Sequence, residues 1–233
     1  MTRVIRLALV WALVCCTLVP ARAATEIAAL SDGRRLVIVQ PDGAPPKGIV
    51  LLIPGGATTL SLGPNGETRS TNFVIRTRDQ LLAAGFAIAY MDDPANLAPA
   101  LDRLRQIAKP VVILSTSRGT IVAVKNAARL GPQGPDLLIL TSPVTVGADS
   151  LATVDVHSIT IPTLITSNVG DTCRASPSAG ASALALRFTS RVSFLTFSST
   201  AATSPPCEPL SPHGYFGIES TVMTKIIDWI GDR

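Results

Sequence analysis

Short runs of β-branched and aliphatic residues alternate along this chain with stretches whose apolar positions recur every three or four residues. That alternation predicts an α/β fold: a mostly parallel central sheet with helices on both faces. Gly48 to Ile53 is an unbroken apolar run stopped by Pro54-Gly55-Gly56, the pattern of a strand buried on both faces. Phe86 to Tyr90, Val111 to Leu114, Leu137 to Leu140 and Thr163 to Thr166 repeat it. Leu36 to Val39, a weak run after the turn signal Ser31-Asp32-Gly33, and the alternating Val192 to Phe197 bring the expected sheet to about seven strands. Asn72 to Ala84 mixes Phe73, Val74, Leu81 and Leu82 with Arg76, Arg78 and Asp79 and stops at Gly85, as a helix does. Leu97 to Ala108, Thr120 to Leu130 and Thr221 to Ile230 are read as three further helices. Glycine, proline and serine gather at residues 41–46, 61–66, 176–182 and 198–212, which are read as loops. The last is long for a compact domain, and long loops tend to carry function.

The first residues fall outside this pattern. Arg3 and Arg6 precede the apolar run Leu7 to Val19, and Ala21-Arg22-Ala23 follows it. This is the layout of a secretory signal peptide cleaved after Ala23. A membrane anchor is the competing reading, but the run has 13 residues, and a spanning helix needs about 20. The expected organisation is a leader over 1–23 and a single domain over 24–233, exported to the periplasm or beyond, with no stable membrane anchor after cleavage.

Export changes how charge and cysteine are read. The whole chain carries a formal charge of +4, but losing Arg3, Arg6 and Arg22 leaves 17 basic against 16 acidic side chains. No run of Lys or Arg remains to line up phosphates, so nucleic acid is not an expected partner. Cys15 and Cys16 leave with the leader, and Val14 before Cys15 does not fit a lipidated cysteine. Cys173 and Cys207 remain, and an isolated pair in an exported protein is expected to form a disulfide.

The candidate chemistry centres on Val111-Val112-Ile113-Leu114-Ser115-Thr116-Ser117-Arg118-Gly119-Thr120. A buried strand runs straight into small-x-Ser-x-Gly and then a helix, the context of a nucleophile elbow. Residues two before and two after the nucleophile must be small, and Ser115 and Gly119 are. Read alone, Ser117 serves equally as a helix cap. Of the two histidines, His213 follows the last strand and precedes the last helix, the place for a general base; His157 reads as an ordinary surface residue. Asp171 lies just past the strand ending near Thr166, on the side of the sheet where sites assemble. Asp149 and Asp155 compete with it as the acid. Pro54-Gly55-Gly56 ends the central strand where backbone N–H groups of Gly56 and Arg118 would flank an oxyanion.

With the Pro-Gly-Gly turn, the Thr-Ser-Arg-Gly-Thr elbow and the His-Gly-Tyr ending, the chain resembles the α/β-hydrolase superfamily over nearly all of residues 24–233. It is most similar to small exported members. The resemblance implies a serine hydrolase without cofactor or metal, using Ser117, His213 and Asp171 through an acyl-enzyme. It also implies an open site, because only 22 residues, Thr141 to Pro162, stand where many relatives insert a cap. A small-molecule ester is the default substrate, with amide or peptide hydrolysis, or a binding module that kept the fold, as alternatives. Arg76, Arg78 and Arg118 are candidates for contacting an anionic substrate.

Overall fold

The computed structural model describes residues 24–233; the expected leader, with Cys15 and Cys16, lies outside the described residues. Eight strands form one sheet: β1 (Thr25–Ala29), β2 (Arg35–Val39), β3 (Ile49–Ile53), β4 (Ala87–Met91), β5 (Val111–Thr116), β6 (Leu137–Thr141), β7 (Thr163–Asn168) and β8 (Val192–Phe197). Their order is β1-β2-β4-β3-β5-β6-β7-β8. β1 and β2 are antiparallel, as are β2 and β4, and every later pairing is parallel. The apolar runs behave as their composition requires. All residues of β3, β4, β5, β6 and β7 are buried, which a strand achieves only when both faces are covered.

The covering is shared between two apolar layers. Odd-numbered positions of β3 (Ile49, Leu51, Ile53) pack with α3 (Ala98–Arg105), α4 (Arg118–Leu130) and α5 (Ser178–Ala185). Even-numbered positions (Val50, Leu52) pack with α1 (Phe73–Arg76), α2 (Arg78–Ala83) and α6 (Glu219–Gly231). The period of two along a strand sends alternate side chains to opposite layers, so one central strand anchors both.

Four details differ from the sequence expectation. The sheet has eight strands, not about seven, because Thr25–Ala29 pairs along its whole length with β2 although only Thr25 and Ile27 in it are β formers. The helix expected over 72–84 is broken at Thr77, where backbone N–H and Oγ1 both donate to the Phe73 carbonyl, a back-bonded threonine of the kind that bends helices. Residues 176–182 were expected as a loop, yet Ser178–Ala185 is helical. Its alanines favour helix, and Ala181 and Leu184 reach the core. The helix after Ser117 begins at Arg118 rather than Thr120. Between β6 and β7 the chain runs through turns and bends, with no helix or strand. Among the described residues no helix is long and apolar enough to cross a membrane.

Candidate active site

At the carboxyl ends of the parallel strands three connections meet: the β5–α4 turn, the β7–α5 loop and the long loop after β8. Ser117 occupies the first with φ 51° and ψ −127°, a region non-glycine residues seldom enter. Its side chain forms no capping hydrogen bond, so the simple cap reading does not describe it. The turn is pinned from both sides: Ser117 N–H donates to Thr141 O at 3.0 Å, and Thr120 Oγ1 donates to Ser117 O at 2.6 Å. Small flanking residues are a steric necessity. A Cβ on Gly119 would lie 2.5 Å from the Pro54 carbonyl oxygen, inside any real contact distance. Ser115 fits because its hydroxyl turns toward the neighbouring strand and donates to Ile139 O at 3.0 Å.

The β3 turn comes equally close. A Cβ on Gly55 would sit 2.7 Å from Ser117 Cβ, so glycine there lets backbone press against the serine. The expected Gly56 and Arg118 amides each follow, in sequence, one of the two residues that make this contact. Neither donates a hydrogen bond among the described residues.

His213 and Asp171 come together from residues 42 apart. His213 Nδ1 lies 2.8 Å from Asp171 Oδ2, with side-chain exposures of 4% and 2%. Asp171 Oδ1 accepts from Cys173 N–H at 2.8 Å, so each carboxylate oxygen has a donor, as a buried carboxylate requires. His213 Nε2 is buried and has no hydrogen-bond partner. His213 and Ser117 line the same cavity, of about 320 Å³. The competing acids sit elsewhere: Asp149 is exposed and paired with Lys125 at 3.2 Å, and Asp155 is exposed and accepts from His157 N–H. His157 is exposed.

The expected disulfide Cys173–Cys207 is present. Cys173 is buried beside Asp171, while Cys207 is exposed and lines the cavity.

Sequence reasoning missed the residues that hold the His213 loop. Asn168, fully buried at the end of β7, donates to Pro212 O at 2.9 Å and Ser199 O at 3.1 Å, and accepts from Gly170 N–H and Ser199 N–H. The full hydrogen-bonding capacity of its side chain is spent on two loops, the β7–α5 loop and both ends of the long loop after β8. Ser142 Oγ donates to His213 O at 2.8 Å. Tyr215 Oη accepts from Ser142 N–H at 3.1 Å and lies 2.8 Å from Thr166 Oγ1. Complete burial pushes the Tyr215 phenol up to about 12, outweighing its hydrogen bonds to Ser142 and Thr166. An asparagine three residues before Asp171, closing an apolar strand, was the one available signal.

The candidate arginines lie away from this cavity. Arg76, Arg78 and Arg118 were candidates for substrate contact, and none lines the cavity. Arg76 is committed to Glu219 at 2.9 Å and to Gly214 O at 2.6 Å, fastening the His213 turn to α6. Arg78 donates to Ile75 O, and Arg118 is exposed without a partner among the described residues. Arg69, on the β3–α1 connection, does line the cavity. Among the described residues no cluster of His, Cys, Asp and Glu could hold a metal ion.

The sequence matches no protein-family model and no curated protein. Solved structures do match. An esterase of Rhizomucor miehei superposes with a TM-score of 0.64 at 12% identity, covering 91% of this chain and 83% of that one. Est1E from Butyrivibrio proteoclasticus gives 0.62 at 14%, covering 88% and 98%. Dienelactone hydrolase from Anabaena variabilis gives 0.64 at 16%, covering 91% and 97%. At such identities the likeness speaks to architecture: the chain has the α/β-hydrolase fold.

Proposed function

We propose that this chain is an exported serine hydrolase that cleaves carboxylic esters through an acyl-enzyme on Ser117. The observation that carries the reading is the buried His213–Asp171 pair, 2.8 Å apart, whose histidine keeps an unpartnered Nε2 and lines one cavity with a serine held in strained geometry. Asp171 fixes the tautomer with the proton on Nδ1, leaving Nε2 to take the Ser117 proton as Oγ attacks the ester carbonyl. The Gly56 and Arg118 N–H groups stabilise the oxyanion, a role their lack of other acceptors suits. His213 then protonates the leaving alcohol, and water, deprotonated in turn by His213, releases the acid. Export rests on the leader-like residues 1–23 and on the disulfide beside the site.

The test is labelling by a fluorophosphonate, together with turnover of p-nitrophenyl esters and aminoacyl anilides. The parent protein should label and should hydrolyse esters faster than anilides. Ser117→Ala should lose both labelling and turnover, with kcat down by roughly 10⁵ to 10⁶, while circular dichroism stays unchanged. Labelling that survives Ser117→Ala would move the nucleophile. A folded parent that neither labels nor turns over any ester or anilide is a binding module.

A further inference from the structure

Most arginines in the described residues are spent on carbonyls or carboxylates, as Arg35 is on Gly63 O and Arg76 on Glu219. Arg69 is exposed and has no hydrogen bond or ion pair among the described residues. Arg118, Arg174 and Arg191 share that freedom, but only Arg69 lines the cavity of Ser117 and His213. It also lines a second cavity of about 540 Å³, bounded by the stretch from Thr59 to Ser70. The two spaces share Arg69 and Ser70 as their common wall.

The charges and the direction of the chemistry then fix an orientation. His213 protonates the leaving alcohol, so the alcohol lies on the side of His213, where Cys207, Glu208 and Pro209 also line the inner cavity. No residue of that loop touches the outer cavity, so the outer cavity is where an acyl chain extends, past Arg69. Each space carries one carboxylate, Glu208 in the inner and Glu67 in the outer. Glu67 in the outer cavity is turned onto Asn65 N–H at 2.9 Å and lies beyond ion-pair distance of Arg69. The guanidinium fork is thus left unspent at the acyl end, and its planar donors match a carboxylate.

We propose that Arg69 receives a free carboxylate at the far end of the acyl chain, so that the enzyme acts on half-esters of dicarboxylic acids. The inference rests on the serine-hydrolase reading above. In the reaction the ester C–O bond breaks, water supplies hydroxyl to the acyl carbon and hydrogen to the alcohol, and the new carboxyl group loses its proton to solvent. The products are a dicarboxylate and an alcohol.

The test compares kcat/KM for monoethyl adipate with that for ethyl hexanoate, by titration of released acid, in the parent protein, Arg69→Gln and Arg69→Lys. The half-ester should be preferred, and Arg69→Gln should lower the half-ester to neutral-ester ratio about tenfold, mainly through KM, with Lys intermediate. The preference should weaken as salt rises from about 0.01 M to 1 M, because the site is open to solvent. Glu208→Gln should not reduce it. An acetate ester of 4-hydroxybenzoate, with its carboxylate on the alcohol side, should gain nothing over phenyl acetate. A ratio unchanged by Arg69→Gln, or an advantage for the alcohol-side carboxylate, overturns the proposal and leaves ester hydrolysis standing. Calorimetry of adipate binding to Ser117→Ala protein, with and without Arg69→Gln, reads the same contact without turnover. Equal binding by the two proteins also overturns it.

Discussion

The two halves of the candidate site are held by different means. Ser117 is fixed by backbone: a buried strand, a helix that starts at the next residue, and glycines that let neighbouring chain pack within van der Waals range. His213 and Asp171 are fixed by side chains that reach across the sequence. Asn168 spans 44 residues to Pro212, Ser142 spans 71 to His213, and Arg76 spans 138 to Gly214. A disulfide adds one more tie. The elbow is therefore local and all-or-none, because a Cβ in the wrong place has nowhere to go. The acid–base half is distributed, and each tie can be removed singly. Substitutions in the two halves should differ in kind: sharp loss from the elbow, graded loss from the mesh.

The largest effect expected in the acid–base half is at its centre. Asp171→Asn leaves the loop geometry but favours the wrong histidine tautomer, and kcat should fall by roughly 10⁴. Asp149→Asn and Asp155→Asn, on exposed carboxylates far from the pair, should retain near-parental rates. Ester hydrolysis assays on the three variants check this. The reverse ranking would detach the acid role from the observed pair.

On the elbow side, Gly119→Ala places a methyl group 2.5 Å from Pro54 O and 2.6 Å from Ile53 O, both backbone atoms that cannot swing away. The strand and helix must part, which moves the Ser117 hydroxyl and the Gly56 amide together. A shift of about 1 Å at a reacting group is worth roughly 10²-fold in rate, and overpacking costs about 1 to 3 kcal/mol of stability. Activity and thermal unfolding should drop together. A fully active Gly119→Ala protein would show that the close approach is not what sets the elbow.

This contrast also explains what was legible in the sequence. Strands β3 to β7 read directly, because burial on both faces leaves an uninterrupted apolar run. The tight strand–turn–helix around Ser117 read directly, because its steric rule involves residues two positions away. Asp171 and His213 were singled out, and the cysteine pair expected, from residue type and order along the chain. Asn168, Ser142, Tyr215 and Arg76 were not assigned their parts, because their partners lie dozens of residues away and nothing in their neighbours names those partners. That Arg76 is paired rather than open to substrate could not be read for the same reason: Glu219 is 143 residues distant. Arg69 was passed over because an arginine in a polar loop carries no local sign of facing a cavity. Ser178–Ala185 was missed because small residues suggest a loop, and only contact with the core shows that the alanines dominate.

Removing the disulfide should produce a smaller, graded change. Closing a loop across the observed separation of 34 residues is worth about 3 to 4 kcal/mol in the chain-entropy treatment. The same bond ties Cys173, whose N–H holds Asp171, to the cavity-lining Cys207. Cys173→Ser with Cys207→Ser should therefore lower activity about tenfold in protein that is still folded, through looser placement of the acid–base pair. Activity and far-UV circular dichroism followed across a reductant titration of the parent should show rate falling before ellipticity. Full activity in reduced, folded protein would leave the mesh of hydrogen bonds sufficient by itself.

The smallest effect on rate is expected at Tyr215. Tyr215→Phe keeps the ring packed against Phe73, 5.0 Å between centroids, and Phe197, 6.0 Å. His213 O is still held by Ser142 Oγ and Pro212 O by Asn168, so turnover should change little. What changes is stability and its dependence on pH. The buried Thr166 hydroxyl loses its partner, while Ser142 N–H keeps the Thr166 carbonyl, and the unpaired hydroxyl costs about 1 to 3 kcal/mol near neutrality. Burial holds the folded phenol at about 12, against the ordinary 10.0 of a solvated tyrosine. The unfolded chain therefore releases this proton before the folded protein does. The stability that the neutral phenol contributes is complete below pH 10 and is lost as pH rises toward 12, by about 2 to 3 kcal/mol. Phenylalanine has no such proton to lose. The parent should be the more stable protein at pH 7, and its advantage should shrink or vanish as pH rises toward 12. Part of the alkaline loss should persist in the variant, because burial also raises the phenol of Tyr90, which donates to Gly66 O. Urea unfolding of both proteins at pH 7, 10 and 11.5 measures the convergence; a constant gap across that range would mean that the Tyr215 phenol does not titrate with folding.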